Sequence, residues 1–175
     1  TQIVPLNIKQ SLIENEVILE INKFALTANN ISYGITGEAL GYWRFFPTQE
    51  LQTKKGPSAN QWGRLPVMGF ATVVSSNNDQ IELGERVWGF MPMATHVKIL
   101  AGRINDSKFS DNSPYRDGLA PLYATFERVK NNRFHSTKNE DFEISGKNLL
   151  EKTIEYKAFA KKTIGVIEAS AKILY

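Results

Sequence analysis

Apolar and polar residues alternate along the first part of the chain in the manner of β-strands. In residues 16–26 (EVILEINKFAL), Val17, Leu19 and Ile21 form one face of the alternation, while polar residues dominate the other. Further strands are predicted, separated by polar residues, at 4–10 (a weaker pattern), 70–76, 84–91 and 94–100. Short strands at close spacing, with turns such as NNDQ (77–80) between them, predict a small β-barrel or sandwich.

Later in the chain the periodicity becomes helical. Apolar residues recur at spacings of three and four in 119–131 (LAPLYATFERVKN), and one apolar stripe runs along 147–175, so both segments are predicted to be helices. Residues 48–64 are polar and contain a Gly-Pro-Ser sequence, which predicts an irregular excursion. The predicted fold is therefore mainly β (α+β overall), with a β-barrel domain and following helix at 1–130 and a polar connector and long amphipathic helix at 131–175.

Composition and charge narrow the class of protein. Of the 175 residues, 42% are hydrophobic and 22% charged, which is typical of a globular protein. The net charge of +3 is spread over the chain, so no nucleic-acid-binding stripe is predicted. No apolar run approaches the roughly 18–20 residues of a membrane span, and no signal-peptide pattern follows Thr1. We therefore expect a cytoplasmic location, with neither nucleic acid nor membrane as a partner.

Metal chemistry has few candidate ligands in this sequence. There is no Cys, which excludes disulfides and thiolate metal sites. The only histidines, His96 and His135, are far apart in the sequence. His96 falls on the less apolar face of a predicted strand, and His135 lies in a polar segment. We expect both to be exposed or cross-strand residues and predict no metal site.

Residues 25–47 (ALTANNISYGITGEALGYWRFFP) concentrate amides and aromatic rings on what the pattern indicates is a loop. Asn29 and Asn30 each offer donors and an acceptor, so they can hold an amide or carbonyl of a ligand. The alternative is an Asx turn that ends the preceding strand. Tyr33, Tyr42 and Trp43 can line a ring-stacking pocket, or they can cap the core of the barrel.

The segment around the central strands is the most diagnostic. Residues 66–74 read PVMGFATVV, in which Pro66 and Gly69 come before the predicted strand. A loop follows, and the chain continues with Gly84-Glu85-Arg86-Val87. This arrangement resembles the N-terminal, GroES-like domain of medium-chain dehydrogenases/reductases. The resemblance covers roughly residues 10–130 and is nearest to an uncharacterised, zinc-free bacterial branch of that superfamily.

The resemblance implies a GroES-like distorted β-barrel that forms the substrate side of a reductase. Hydride transfer from NAD(P)H to a carbonyl or an enone is the reaction that it implies for a small-molecule substrate. Asn29, Asn30, Tyr42, Trp43 and Phe45 then become candidate substrate-binding residues, and Asn29 is a candidate contact to the nicotinamide as well. Tyr33 or Ser32 becomes the candidate proton donor.

Two departures from that superfamily limit what can be carried over. Gly69-Phe70-Ala71 replaces the Gly-His-Glu of zinc-dependent members, which again predicts no metal. No Gly-rich strand-to-helix turn is present, so the sequence lacks a recognisable Rossmann domain. NAD or NADP is therefore possible only with a missing Rossmann half. The alternative function is a non-catalytic small-molecule-binding or protein-interaction module that has lost the cofactor domain. The stripe on 147–175 can pack on the barrel or on a second subunit, so a homo-oligomer is possible.

Overall fold

Six antiparallel strands close into a barrel in the computed structural model, which describes residues 11–47 and 63–131. The strands are β1 (Glu16–Phe24), β2 (Pro66–Ser76), β3 (Arg86–Pro92), β4 (His96–Gly102), β5 (Lys108–Asp111) and β6 (Thr125–Arg128). Their order around the barrel is β1-β2-β3-β6-β5-β4, with β4 pairing back onto β1. The prediction of a mainly β fold is confirmed. Several other predictions lie outside the described residues: the strand at 4–10, almost all of the excursion 48–64, His135 and the helix at 147–175.

Alternating residues of the strands fill the barrel, as the sequence pattern predicts. On β4 the alternation is strict, with Val97, Ile99 and Ala101 buried and the residues between them half-buried. β1 departs from it, since Val17, Ile18 and Leu19 are all buried, and its pairing with β2 shifts register between Ile18 and Leu19. Burial of such apolar surface is the main term that stabilises the domain.

The helix predicted at 119–131 is wrong. Residues 121–124 form a 3₁₀ turn that begins at Pro121, and the chain then enters strand β6. Phe126 and Arg128 are buried on β6, and the residue before each of them is half-buried. Burial at every second residue is the periodicity of a strand. Leu122, which the helical spacing places on the apolar face, is 77% exposed. Pairing of β6 with both β3 and β5 therefore prevails over the local helical spacing.

A glycine in β2 lets β1 and β2 approach closely. Gly69 lies opposite Phe24 of β1 and Gly89 of β3. A Cβ atom at position 69 would lie 2.1 Å from the carbonyl oxygen of Lys23 and 2.8 Å from the Cα of Phe24. Both are backbone atoms, which cannot rotate away, so any side chain here must displace β1 or β2.

We expect Gly69→Ala to lower the free energy of unfolding by about 1–3 kcal/mol, the usual cost of overpacking. Gly34→Ala is the matched control, because its new Cβ would have only Leu65 Cδ1 nearby, at 3.7 Å, and alanine favours the helix in which Gly34 lies. Urea denaturation of both variants checks the prediction. Equal stability of the two variants would contradict the close approach of β1 and β2.

Candidate functional site

Residues 25–47 contain a helix and a 3₁₀ turn, which corrects the sequence-based interpretation of this stretch as a loop. Helix α1 (Ala28–Ile35) is followed by a 3₁₀ turn at Tyr42–Arg44. Thr27 precedes α1 in extended conformation, and its backbone N–H donates to Oδ1 of Asn30 at 2.6 Å. This contact is one half of a capping box, so Asn30 helps to begin a helix at a place where the sequence pattern indicated a turn.

The two asparagines have different surroundings. Asn30 is buried, and its Nδ2 donates to the carbonyl oxygen of Pro66 at 2.8 Å, which ties α1 to the first residue of β2. Its amide is therefore occupied by the protein on both sides and is not available to a ligand. Asn29 and Ser32 are exposed on α1, where their side chains face solvent.

Aromatic rings from three parts of the chain meet at one end of the barrel. Residues 25–47, which follow β1, and the connection from β5 to β6 lie at this end, beside the last residues of β3. We call this set the aromatic cluster; it consists of Tyr33, Tyr42, Phe45, Phe46, Phe90 and Tyr123. Neighbouring ring centroids in it are 4.4–6.0 Å apart, within the range of favourable aromatic pairs.

The cluster has a buried floor and a partly exposed rim. Phe45 and Phe90 are 4% and 1% exposed and belong to the barrel core. Tyr33, Tyr42 and Tyr123 are half-buried and pack against that core from outside. The structure thus brings together three of the predicted site residues and adds Tyr123, which the helix wrongly predicted at 119–131 had concealed.

Burial makes the phenols of Tyr33 and Tyr42 weaker acids than ordinary tyrosines. Burial, followed by the nearby phenols of Tyr123 and Tyr42, raises the pKa of Tyr33 above its ordinary value. Burial likewise raises the pKa of Tyr42, helped by a hydrogen bond between the side chains of Tyr42 and Tyr123. A raised pKa suits a phenol that donates a hydrogen bond to a ligand oxygen more than one that releases its proton near neutral pH.

Trp43 is placed elsewhere than the ring-stacking pocket that the sequence suggested. Its indole lies between Gly37 and Gly63, where a Cβ on either glycine would fall 2.0 Å or 2.3 Å from ring atoms. Its backbone N–H donates to the carbonyl oxygen of Gly37 at 3.2 Å. Trp43 therefore holds the turn after α1 against the residues that lead into β2.

His96 has the cross-strand position that the sequence predicts. It is half-buried on β4 opposite Glu20, with Nδ1 3.1 Å from the hydroxyl of Thr95. Across residues 11–47 and 63–131, no three His, Asp or Glu side chains are grouped in a way that could hold a metal ion. Within the same residues, no helix is both long and apolar enough to cross a membrane.

One comparison with known proteins gives a family. Residues 24–159 match the family model described as "Protein of unknown function (DUF2855)", and this match covers more than half of the chain. No curated protein and no solved structure matches.

Proposed function

The chain belongs to the DUF2855 family, whose description assigns no function, and we propose that its barrel is the substrate-side domain of a zinc-free, NAD(P)H-dependent reductase-like protein. The reaction proposed is hydride transfer to the carbonyl or enone of a small molecule. The observation that carries the proposal is the aromatic cluster, in which three phenol-bearing rings surround a buried apolar floor at one barrel end. The closed six-stranded barrel and the Gly84–Val87 corner support a GroES-like architecture.

The rim and the floor have separate roles in this proposal. On substrate binding, the hydrogen bond between Tyr42 and Tyr123 is exchanged for hydrogen bonds from these hydroxyls, and from that of Tyr33, to the substrate oxygen. They stabilise the negative charge that develops on this oxygen during reduction. Phe45 and Phe90 provide an apolar surface beneath the substrate and keep water from it. Neutral phenols suit this role because a donor that keeps its proton does not need a pKa matched to the working pH.

The residues described fit only the nicotinamide end of a cofactor. Asn29, exposed in the first turn of α1, can pair with a carboxamide through its own amide, whereas Asn30 cannot because its amide is occupied. Bound NAD(P)H would supply the hydride. The pyrophosphate would have to be held by residues outside the described ranges, since no Gly-rich strand-to-helix turn occurs within them.

We expect Tyr42→Phe to lower kcat/KM for NADPH-dependent reduction by about tenfold, the effect of losing one hydrogen bond to a developing charge. Steady-state assays of the full-length protein with a panel of enals, enones and quinones measure it. Tyr115→Phe is the matched control, because Tyr115 lies outside the aromatic cluster. Activity that falls equally in both variants, or in neither, would contradict the assigned role of the rim.

A non-catalytic small-molecule-binding or protein-interaction module is the second candidate. The raised pKa values of Tyr33 and Tyr42 favour it, because these two phenols are not tuned to transfer a proton. In that case the full-length protein would bind a probe such as cinnamaldehyde in a manner that depends on Tyr42, yet no substrate of the panel would be reduced. The same set of variants therefore distinguishes the two functions.

A further inference from the structure

A buried arginine beside β5 has two nitrogens without an acceptor. Arg116 ends the 3₁₀ turn Pro114–Arg116, and its side chain is only 4% exposed. Its Nε donates to Oδ2 of Asp111 at 2.9 Å. Its Nη1 and Nη2 are buried and have no hydrogen-bond partner. Leaving charged donors buried and unsatisfied costs free energy, so this arrangement calls for an acceptor from elsewhere.

The partner carboxylate positions Arg116 but cannot satisfy its outer nitrogens. Oδ1 of Asp111 accepts three hydrogen bonds, from the backbone N–H and hydroxyl of Ser113 and from the N–H of Leu100. Asp111 is thereby held in place, and its Oδ2 holds Nε of Arg116. The opposite side of the guanidinium, with Nη1 and Nη2, keeps the fork that binds planar or tetrahedral oxyanions.

Aromatic rings keep the guanidinium from turning away. Cζ of Arg116 lies 4.5 Å from the ring centroid of Phe46 and 5.9 Å from that of Phe45. Such cation–π contacts stabilise the charge, but a ring supplies no lone pair for the in-plane N–H groups. The stacking therefore accounts for the position of Arg116 and leaves the need for an acceptor unmet.

Arg116 lines a cleft of about 470 Å³ beside β5 and the connection from β5 to β6. The volume is within the range of sites for small molecules. Arg103 and Lys108 add positive charge to its walls, against the carboxylates of Asp111, already paired, and Asp117. Leu119 and Pro121 give the same cleft an apolar side. The positive charges and the apolar side of the cleft thus favour a small anion with an apolar body.

We propose that this cleft is an anion-binding site in which Arg116 pairs through Nη1 and Nη2 with the carboxylate or phosphate group of a small molecule. The apolar body of the ligand lies against Leu119 and Pro121. Because both nitrogens are covered, binding requires a local shift of neighbouring side chains. The site uses none of the rim tyrosines, so its failure would leave the proposed reductase function standing, and the reverse also holds.

Titration calorimetry of the full-length protein with benzoate, phenyl phosphate and neutral benzamide tests the proposal. We expect at least one of the two anions to bind about tenfold or more tightly than benzamide, and the tighter anion identifies the group that the site prefers. Arg116→Lys keeps the charge but loses the fork, so it should weaken that anion about tenfold. Arg86→Lys is the matched control, since Arg86 also lies over a phenylalanine, 5.4 Å from the ring centroid of Phe70, and should bind as the wild type.

Three results would contradict the proposed site. In the first, neither anion binds more tightly than benzamide. In the second, Arg116→Lys and Arg86→Lys weaken anion binding equally, and in the third, Arg116→Lys does not weaken it. If Arg116→Lys does not fold, side-chain NMR of the wild-type protein decides instead. Addition of the tighter anion should then shift the signals of Phe46 and Leu119, and shifts confined to other residues would refute the proposal.

Discussion

Replacing Arg128 by methionine should lower the free energy of unfolding by about 3–5 kcal/mol, because it leaves the Glu85 carboxylate buried without its counter-ion. The carboxylate of Glu85 is fully buried, and Arg128 is 8% exposed in its side chain. The Arg128 guanidinium donates to both carboxylate oxygens through Nε and Nη2. It also donates to the carbonyl oxygens of Gln80 and Asn105, at 2.9 Å and 3.0 Å.

These four hydrogen bonds explain why the loss should be large. Gln80 belongs to the turn between β2 and β3, whereas Asn105 belongs to the turn between β4 and β5. The side chain of Arg128 on β6 therefore joins two turns that are remote in sequence. Its removal breaks the contacts to both turns and to Glu85 together. The expected value exceeds that of an ordinary surface ion pair, which contributes about 0–1 kcal/mol.

Urea denaturation of three proteins checks this expectation. Lys130→Met is the matched control, since its ammonium lies 3.7 Å from the same carboxylate but the side chain is 41% exposed; it should cost less than about 1 kcal/mol. The double variant Glu85→Gln/Arg128→Met should recover part of the loss, because no buried charge then lacks a partner. A loss of under about 1 kcal/mol in Arg128→Met would contradict the buried pair.

This ion pair also shows the limit of prediction from sequence. The Gly84–Val87 motif was visible in the sequence, and Gly84 indeed turns the chain at a φ of 81°, a region that favours glycine. The partner of Glu85 was not visible, because Arg128 lies 43 residues away in a segment with helical spacing. Local patterns predict strands that are long and alternate; they do not predict which distant strand will pair with them.

The strands differ in how much local signal they carry. β1 was predicted to end two residues later than it does, and β4 was predicted to begin and end two residues earlier than it does. A long alternating run shows that a strand exists but does not fix the residues at which it begins and ends. β5 and β6 have four residues each, too few to show a period, and they exist because each pairs with its neighbours in the barrel. Tertiary pairing thus determines the short strands that local propensity leaves open.

The candidate site was predictable only where its residues are close in sequence. Tyr33, Tyr42 and Phe45 stand out as aromatic residues of one short stretch, and the fold brings them together. The role of Asn30 was not predictable from its neighbours, because asparagine is common both at the start of a helix and in a turn that ends a strand. Only the helix that continues after Asn30 in the structure distinguishes the two roles. Tyr123 joins the site through the path of the β5–β6 connection, which the helical spacing of 119–131 obscured.

Phe90 is the residue on which core and candidate site depend together. It is 1% exposed, and its ring centroid lies 4.8–6.0 Å from those of Tyr123, Phe45, Tyr33 and Phe46. Truncation to alanine would remove a ring that all four of these neighbours contact. We therefore expect Phe90→Ala to lower the free energy of unfolding by about 3–5 kcal/mol and to abolish binding of a cluster ligand such as cinnamaldehyde.

Phe109 separates these two effects, because it is equally buried but stacks on Phe126, with centroids 5.6 Å apart, outside the aromatic cluster. Phe109→Ala should cost a similar free energy of unfolding yet leave cinnamaldehyde binding intact in the folded fraction. The milder pair Phe90→Leu and Phe109→Leu retains more of the core volume and allows the comparison if either alanine variant does not fold. Urea denaturation measures the stability of each variant, and fluorescence titration measures its binding. Equal weakening of cinnamaldehyde binding at both positions would mean that the barrel as a whole, and not the ring of Phe90 beneath the tyrosine rim, supports the site.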